Sequence, residues 1–189
     1  FIAGAALIVG PWLHATDKMV GRPILTTNAA FNLYLGNNPA ATGKFVSISD
    51  TPMAKDWEAT RIRLGEVGNA DRLQAAALDW IGDNPGRAAE LAALKLAYFW
   101  QPNIPDAADF AASKAVASIR LFEVAQYGLI LLFGLLAFRS PLIASDGKWI
   151  FAAMIAGFWL IHAAAYIITR YRDPAIPLLI VTAAIPIAA

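Results

Sequence analysis

The sequence predicts a mainly α-helical protein: polytopic membrane helices, with a helical extramembrane loop region inserted after a first, partial span. Three observations carry this. Long apolar runs recur towards the end of the chain, and the one over 149–168 contains no Asp, Glu, Lys or Arg. Charged residues make up 15% of the 189 residues and the mean hydropathy is +0.52, against about 25% charge in an ordinary soluble domain. Between the apolar runs, Asp50-Thr51-Pro52 and Asn84-Pro85 repeat a cap-then-proline signal for a helix start.

The chain opens on an apolar run, Phe1-Ile2-Ala3-Gly4-Ala5-Ala6-Leu7-Ile8-Val9-Gly10, closed by Pro11-Trp12. It lacks a basic leading segment and a small-residue cleavage site, so it is not read as a signal peptide. Residues 1–12 read as the end of a truncated transmembrane helix, with Trp12 at headgroup level. On this reading the chain is a fragment of a larger integral membrane protein.

Residues 13–118 form the loop region, in which helical periodicity supports about three helices. The stretch 13–48 reads as irregular, with a turn at Gly36-Asn37-Asn38-Pro39. A helix is predicted over 52–64, broken by Gly65 and Gly68. A second covers 70–81, with Leu73, Ala77, Leu78 and Ile81 on one side. A third covers 85–100, with Leu91, Leu94 and Tyr98 on one flank and Tyr98-Phe99-Trp100 at its end. That aromatic run suits an interfacial helix or a soluble core. Gln101-Pro102-Asn103-Ile104-Pro105 stops it, and helix resumes from Asp106.

Three C-terminal transmembrane helices are predicted over 119–138, 149–168 and 174–189, the last truncated. A crossing takes about 20 helical residues. Arg139 and Lys148 favour a cytoplasmic connector between the first two, whereas Arg170 and Arg172 favour a cytoplasmic joint between the last two. The positive-inside rule is thus a near tie.

The chemistry the residues permit is narrow. Net charge is +1, and the loop region carries ten basic and eleven acidic residues, a solvated surface that argues against nucleic acid. There is no cysteine, hence no disulfide framework or thiolate metal site. No phosphate-binding glycine loop and no HExxH is present. His14 and His162 read as structural, the latter facing a bundle interior, and Glu123 as an interfacial first-turn residue. The joint Arg170-Tyr171-Arg172-Asp173-Pro174-Ala175-Ile176-Pro177 is the point of interest. Read as non-helical and at the water interface, it offers guanidinium forks suited to an anionic headgroup. The alternative is a plain loop whose charges snorkel from helix ends.

Several segments together resemble bacterial family-39-like glycosyltransferases of the GT-C superfamily, relatives of protein O-mannosyltransferases and aminoarabinose transferases. They are Thr27-Asn28-x-x-x-Asn32-Leu33-Tyr34-x-Gly36-Asn37-Asn38-Pro39-x-Ala41-Thr42-Gly43; Ala77-Leu78-Asp79-Trp80-Ile81-x-x-Asn84-Pro85-Gly86-Arg87 with Lys95-Leu96-x-Tyr98-Phe99-Trp100; and Arg170-Tyr171-Arg172-x-Pro174-x-x-Pro177. The chain departs from them at Ala29 and Ala30, where glycines often stand, and at His14-Ala15-Thr16, where an Arg-Asn pair is usual.

The resemblance implies a multi-pass enzyme of the bacterial inner membrane that moves a sugar from a polyprenyl-phosphate donor to a lipid, glycan or protein acceptor. The long loop and the Arg170 joint would then be periplasmic. The family's catalytic aspartate belongs to an earlier loop, so no catalytic residue is assigned here and the fragment alone is expected to be inactive. Arg170, Arg172 and Tyr171 are the lipid-phosphate residues. Asn28, Asn32, Tyr34, Asn37 and Asn38 are sugar-binding or loop-ordering residues. No metal ligand and no cofactor are assigned, and divalent-metal dependence stays open. A transporter or flippase component, which would need polar residues lining a mid-membrane path, and a membrane-anchored interaction protein are the alternatives.

Overall fold

The computed structural model describes residues 2–188, and among them the chain is mainly helical with no β-strand. It divides into two compact units, residues 1–91 and 92–189, taken in turn.

In the first unit, α1 runs Ile2–Val20, passing through Pro11 and Trp12 rather than ending there. Proline removes one backbone hydrogen bond without forbidding the next turns, and Trp12 to Val20 contains no further breaker. Gly21 ends the helix at φ +74°, donating its N–H to the Asp17 carbonyl at 2.9 Å, a left-handed cap that glycine adopts without steric cost. The stretch expected to be irregular contains α2, Asn28–Gly36, then short 3₁₀ turns at Ile48–Asp50 and Ala54–Asp56.

The next helix, α3, begins at Trp57, not at Pro52, and extends to Asp83. The Thr51 hydroxyl donates to the Ile48 carbonyl at 2.8 Å, which holds the preceding residues in turns. Gly65 breaks α3 as expected, at φ 67° and ψ −179°. Gly68 does not: it stays helical, where glycine costs only about 1 kcal/mol relative to alanine. The helices α2 and α3 pack on each other, burying Tyr34, Leu35, Ala70, Leu73 and Ala77. Leu78, expected on that face, is 52% exposed, because it lies past the edge of the Ala70–Leu73–Ala77 stripe. Asn84 caps α3 by donating its Nδ2 to the Trp80 carbonyl at 3.0 Å, and α4, Pro85–Trp100, follows at once.

In the second unit, Asp106 forms a capping box at the start of α5, Ala107–Ala112. Its Oδ1 accepts from the Ala108 and Asp109 amides at 2.8 and 3.0 Å, and the Asp109 carboxylate accepts from the Asp106 amide at 3.2 Å. Ser113 caps α6, Lys114–Ala137. Among the described residues α6 is the helix long and apolar enough to cross a membrane. It packs against α8, Ile176–Ala188, at Gly134: a Cβ there would lie 3.3 Å from Leu179 Cδ2 and 3.5 Å from Thr182 Oγ1.

The remaining helix, α7, covers Ser145–Ala163, ending before the expected residue 168. The residues after it lead into a 3₁₀ helix, Thr169–Ala175, so the joint read as non-helical is helical. At about 1.5 Å per residue, the 13 residues of α8 reach about 20 Å, short of a bilayer core of about 30 Å.

Candidate functional site

The arginine joint belongs to the second unit, and its 3₁₀ geometry separates the two guanidinium groups. At three residues per turn, side chains two positions apart differ by about 240° in direction. Arg172 is buried, at 8% exposure. Its Nη1 donates to the Gln101 carbonyl at 2.5 Å, and its guanidinium lies 4.1 Å from the centre of the Tyr127 ring. Gln101 follows directly on α4, and its carbonyl falls where the helix has already stopped, so it has no intrahelical donor. Arg172 supplies one. The side chain is committed to internal contacts.

Arg170 is exposed and enters no ion pair or hydrogen bond among the described residues. Tyr171, half-buried between them, stacks against His162 at 4.7 Å and Tyr166 at 5.8 Å. Desolvation, reinforced by a hydrogen bond with Tyr166, pushes its phenol up to about 12, with Arg170 opposing. The phenol is therefore neutral at any physiological pH, and Arg170 is the joint's uncommitted guanidinium, with the exposed Asp173 three residues on.

An aromatic series leads from the joint to an apolar groove. Tyr171 meets His162, His162 meets Phe99 at 6.0 Å, Phe99 meets Trp100 at 5.0 Å, and Trp100 meets Trp159 at 6.0 Å. Trp100 and Trp159 line a groove of about 520 Å³ completed by Leu131, Leu135, Ile155 and Leu179. Trp159 is pinned there by donating its Nε1–H to the Leu96 carbonyl at 2.8 Å. His162, read as structural, hydrogen-bonds through Nδ1 with the Phe158 carbonyl at 2.6 Å.

The sequence pattern misses Lys95. It occupies the register between Leu91 and Phe99 and is fully buried with them. Burial alone lowers its ammonium to about 8. Its spacing, four residues from an apolar residue on either side, is the signal that places it.

The predicted asparagines and Tyr34 lie in the first unit. Asn37 donates its Nδ2 to the Leu33 carbonyl at 2.8 Å. Asn38, fully buried, donates to the Tyr34 and Leu35 carbonyls at 2.8 and 3.2 Å and accepts from the Ala40 amide at 2.8 Å. Both therefore order the turn after α2, the use asparagine commonly finds beside free carbonyls. Tyr34 is buried and Asn32 is half-buried.

Asn28 differs. It opens α2 and lines a cleft of about 450 Å³ with Phe31, Trp57, Arg61, Glu66 and Asn69. Phe31 and Trp57 form its aromatic wall, ring centres 5.7 Å apart. Glu66 accepts a hydrogen bond from the Thr27 hydroxyl, and Arg61 pairs with Glu58 at 2.7 Å. No group of three or more His, Cys, Asp or Glu among the described residues is arranged to hold a metal ion. Comparison with protein-family models, with curated proteins and with solved structures found no match.

Proposed function

We propose that the chain is part of a multi-pass membrane glycosyltransferase that draws its sugar from a polyprenyl-phosphate donor, with Arg170 contacting the phosphate. The carrying observation is the exposed, uncommitted Arg170 on a joint linked by a series of tilted and edge-on aromatic contacts to an apolar groove. A carrier lipid joins an anionic head to an apolar chain, and the joint and groove offer a partner to each part. Phosphate is the leaving group in such a transfer, and its charge grows as the glycosidic bond breaks. A fixed cation beside it stabilises the transition state more than the ground state.

Membrane residence is supported by α6, which meets the length and hydropathy of a crossing helix and leaves Phe122, Leu129, Leu132 and Leu135 exposed. Exposed apolar surface of this kind is stable against lipid and a liability in water. Trp149, Ile150, Leu160 and Ile161 on α7 are exposed too, so α7 and α8 are proposed as further membrane-embedded helices, with the joint and residues 13–118 on the periplasmic face. The sugar-transfer part of the reading rests on the resemblance carried by Thr27–Gly43, by Ala77–Arg87 with Lys95–Trp100, and by Arg170–Pro177.

The test measures transfer from defined polyprenyl-phosphate sugars by the whole protein that contains this chain, in its native membrane. Arg170→Ala is expected to lower turnover and donor affinity at least tenfold while insertion and unfolding stay unchanged. Full activity in Arg170→Ala, or labelling that places the joint in the cytoplasm, rules the reading out.

A further inference from the structure

We propose that the cleft between α2 and α3 binds an uncharged sugar ring of a glycan. Its wall is aromatic: Phe31 and Trp57 stand side by side with planes inclined at 48°. A pyranose presents a face of C–H bonds that packs on such rings and a rim of hydroxyls that both donate and accept. The rest of the cleft is polar in the sense that rim requires. Asn69 lines it and is 6% exposed, and its Oδ1 is buried without a hydrogen-bond partner. An unmet buried acceptor is costly in the empty protein; this one is closed to solvent, so a ligand hydroxyl meets it once the Asn69 amide turns into the cleft, and that hydrogen bond would remove the cost.

The cleft's charges select against ions. Arg61 and Glu66 contribute one charge of each sign. Arg61 is already held by Glu58, its Nε and Nη2 donating at 3.3 and 2.7 Å, so an anion would compete with a bound carboxylate and meet Glu66 as well. A cation would meet Arg61. A neutral polyol can accept from the guanidinium and donate to the Glu66 carboxylate without displacing either charge.

The backbone makes the room. Gly65, at φ 67° and ψ −179°, breaks α3 within the cleft's own lining. It adopts a conformation open almost only to glycine, and a Cβ there would meet no atom within 4 Å. The break is thus maintained beside open space, not by close packing. Sugar binding stands on this geometry alone. The further role of the cleft, seating the acceptor glycan of the transfer, rests on the transferase reading above.

The experiment uses the protein in lipid nanodiscs, titrated calorimetrically with cellobiose, maltose, mannobiose and chitobiose, and with inorganic phosphate as the anionic control. At least one disaccharide is expected to saturate and phosphate is not. Asn69→Leu is expected to weaken that disaccharide roughly tenfold, the loss of about one well-placed hydrogen bond, while raising or preserving the melting temperature, because it deletes the unmet acceptor. Trp57→Ala is expected to abolish binding. Arg170→Ala is expected to leave disaccharide binding unchanged.

The proposal is overturned if none of the four disaccharides saturates, if phosphate binds in their place, or if Asn69→Leu lowers stability and leaves affinity untouched. Should Asn69→Leu fail to fold, Arg61→Ala replaces a half-exposed side chain and carries the same test of affinity. Disaccharide binding without any sugar transfer by the whole protein that contains this chain would retain the cleft and remove the transferase. Donor binding lost in Arg170→Ala without disaccharide binding would do the reverse.

Discussion

Replacing Arg172 by alanine removes two contacts at once, the charge-assisted hydrogen bond to the Gln101 carbonyl and the cation–π contact with Tyr127. A hydrogen bond to a charged group contributes about 1.5–3 kcal/mol, and a desolvated cation–π contact about 2 kcal/mol. The two share one guanidinium and do not add fully, so Arg172→Ala is expected to cost about 2–4 kcal/mol of stability. Arg172→Lys keeps the charge but loses the planar fork that both contacts use, and should recover less than half. Unfolding in graded denaturant in detergent micelles measures the loss, and a double-mutant cycle with Tyr127→Leu isolates the ring contact. A variant within about 0.5 kcal/mol of the parent, the range of an unremarkable surface change, that nonetheless loses donor binding would refute the division of labour between a bracing Arg172 and a ligand-facing Arg170.

Further outcomes follow from the same geometry. Gly65→Ala forces a side chain into a conformation almost restricted to glycine and should destabilise the first unit by about 1–3 kcal/mol, read as a shifted denaturation midpoint together with weakened disaccharide binding. Gly134→Leu should separate α6 from α8 at a cost of about 1–3 kcal/mol for overpacking, seen as lower thermal stability, whereas Gly128→Leu, with no atom within 4 Å of the corresponding Cβ, should be tolerated.

Lys95 sets a pH dependence. Its folded value of about 8 lies below the ordinary 10.5, so between these values the unfolded chain binds more protons and stability rises with pH. Below about pH 8 both states are charged and the burial penalty is present in full. The expected gain across the window is roughly 3 kcal/mol, and Lys95→Met should flatten that part of the stability–pH profile. An unchanged slope in Lys95→Met would remove the buried-ammonium explanation.

Where helices are punctuated by local chemistry, the sequence is a good guide. Asn84-Pro85 places the start of α4 and Trp100 its end, because capping and proline act within a few residues. Gly65 marks its break for the same reason. The failures also have local causes that the pattern undervalued. Pro11 reads as a terminator, although Gly21 with Pro23 two residues on is the stronger stop signal and is where α1 ends. The asparagines of the α2 stretch suggest turns, although Ala29 to Leu35 contains no breaker and forms helix.

The two sites divide along the same line. That Arg170, Tyr171 and Arg172 share one joint between apolar helices is written in the chain, since charge and hydropathy are properties of residues. Which arginine is free was decided by the 3₁₀ turn and by Gln101 and Tyr127, 71 and 45 positions away. The cleft of Phe31, Trp57 and Asn69 was legible only through Asn28, because its lining comes from two helices brought together by burial of Leu35 and Leu73. Composition and periodicity settle what each segment can tolerate around it. Only packing settles which polar atom is left without a partner, since that depends on every neighbour at once.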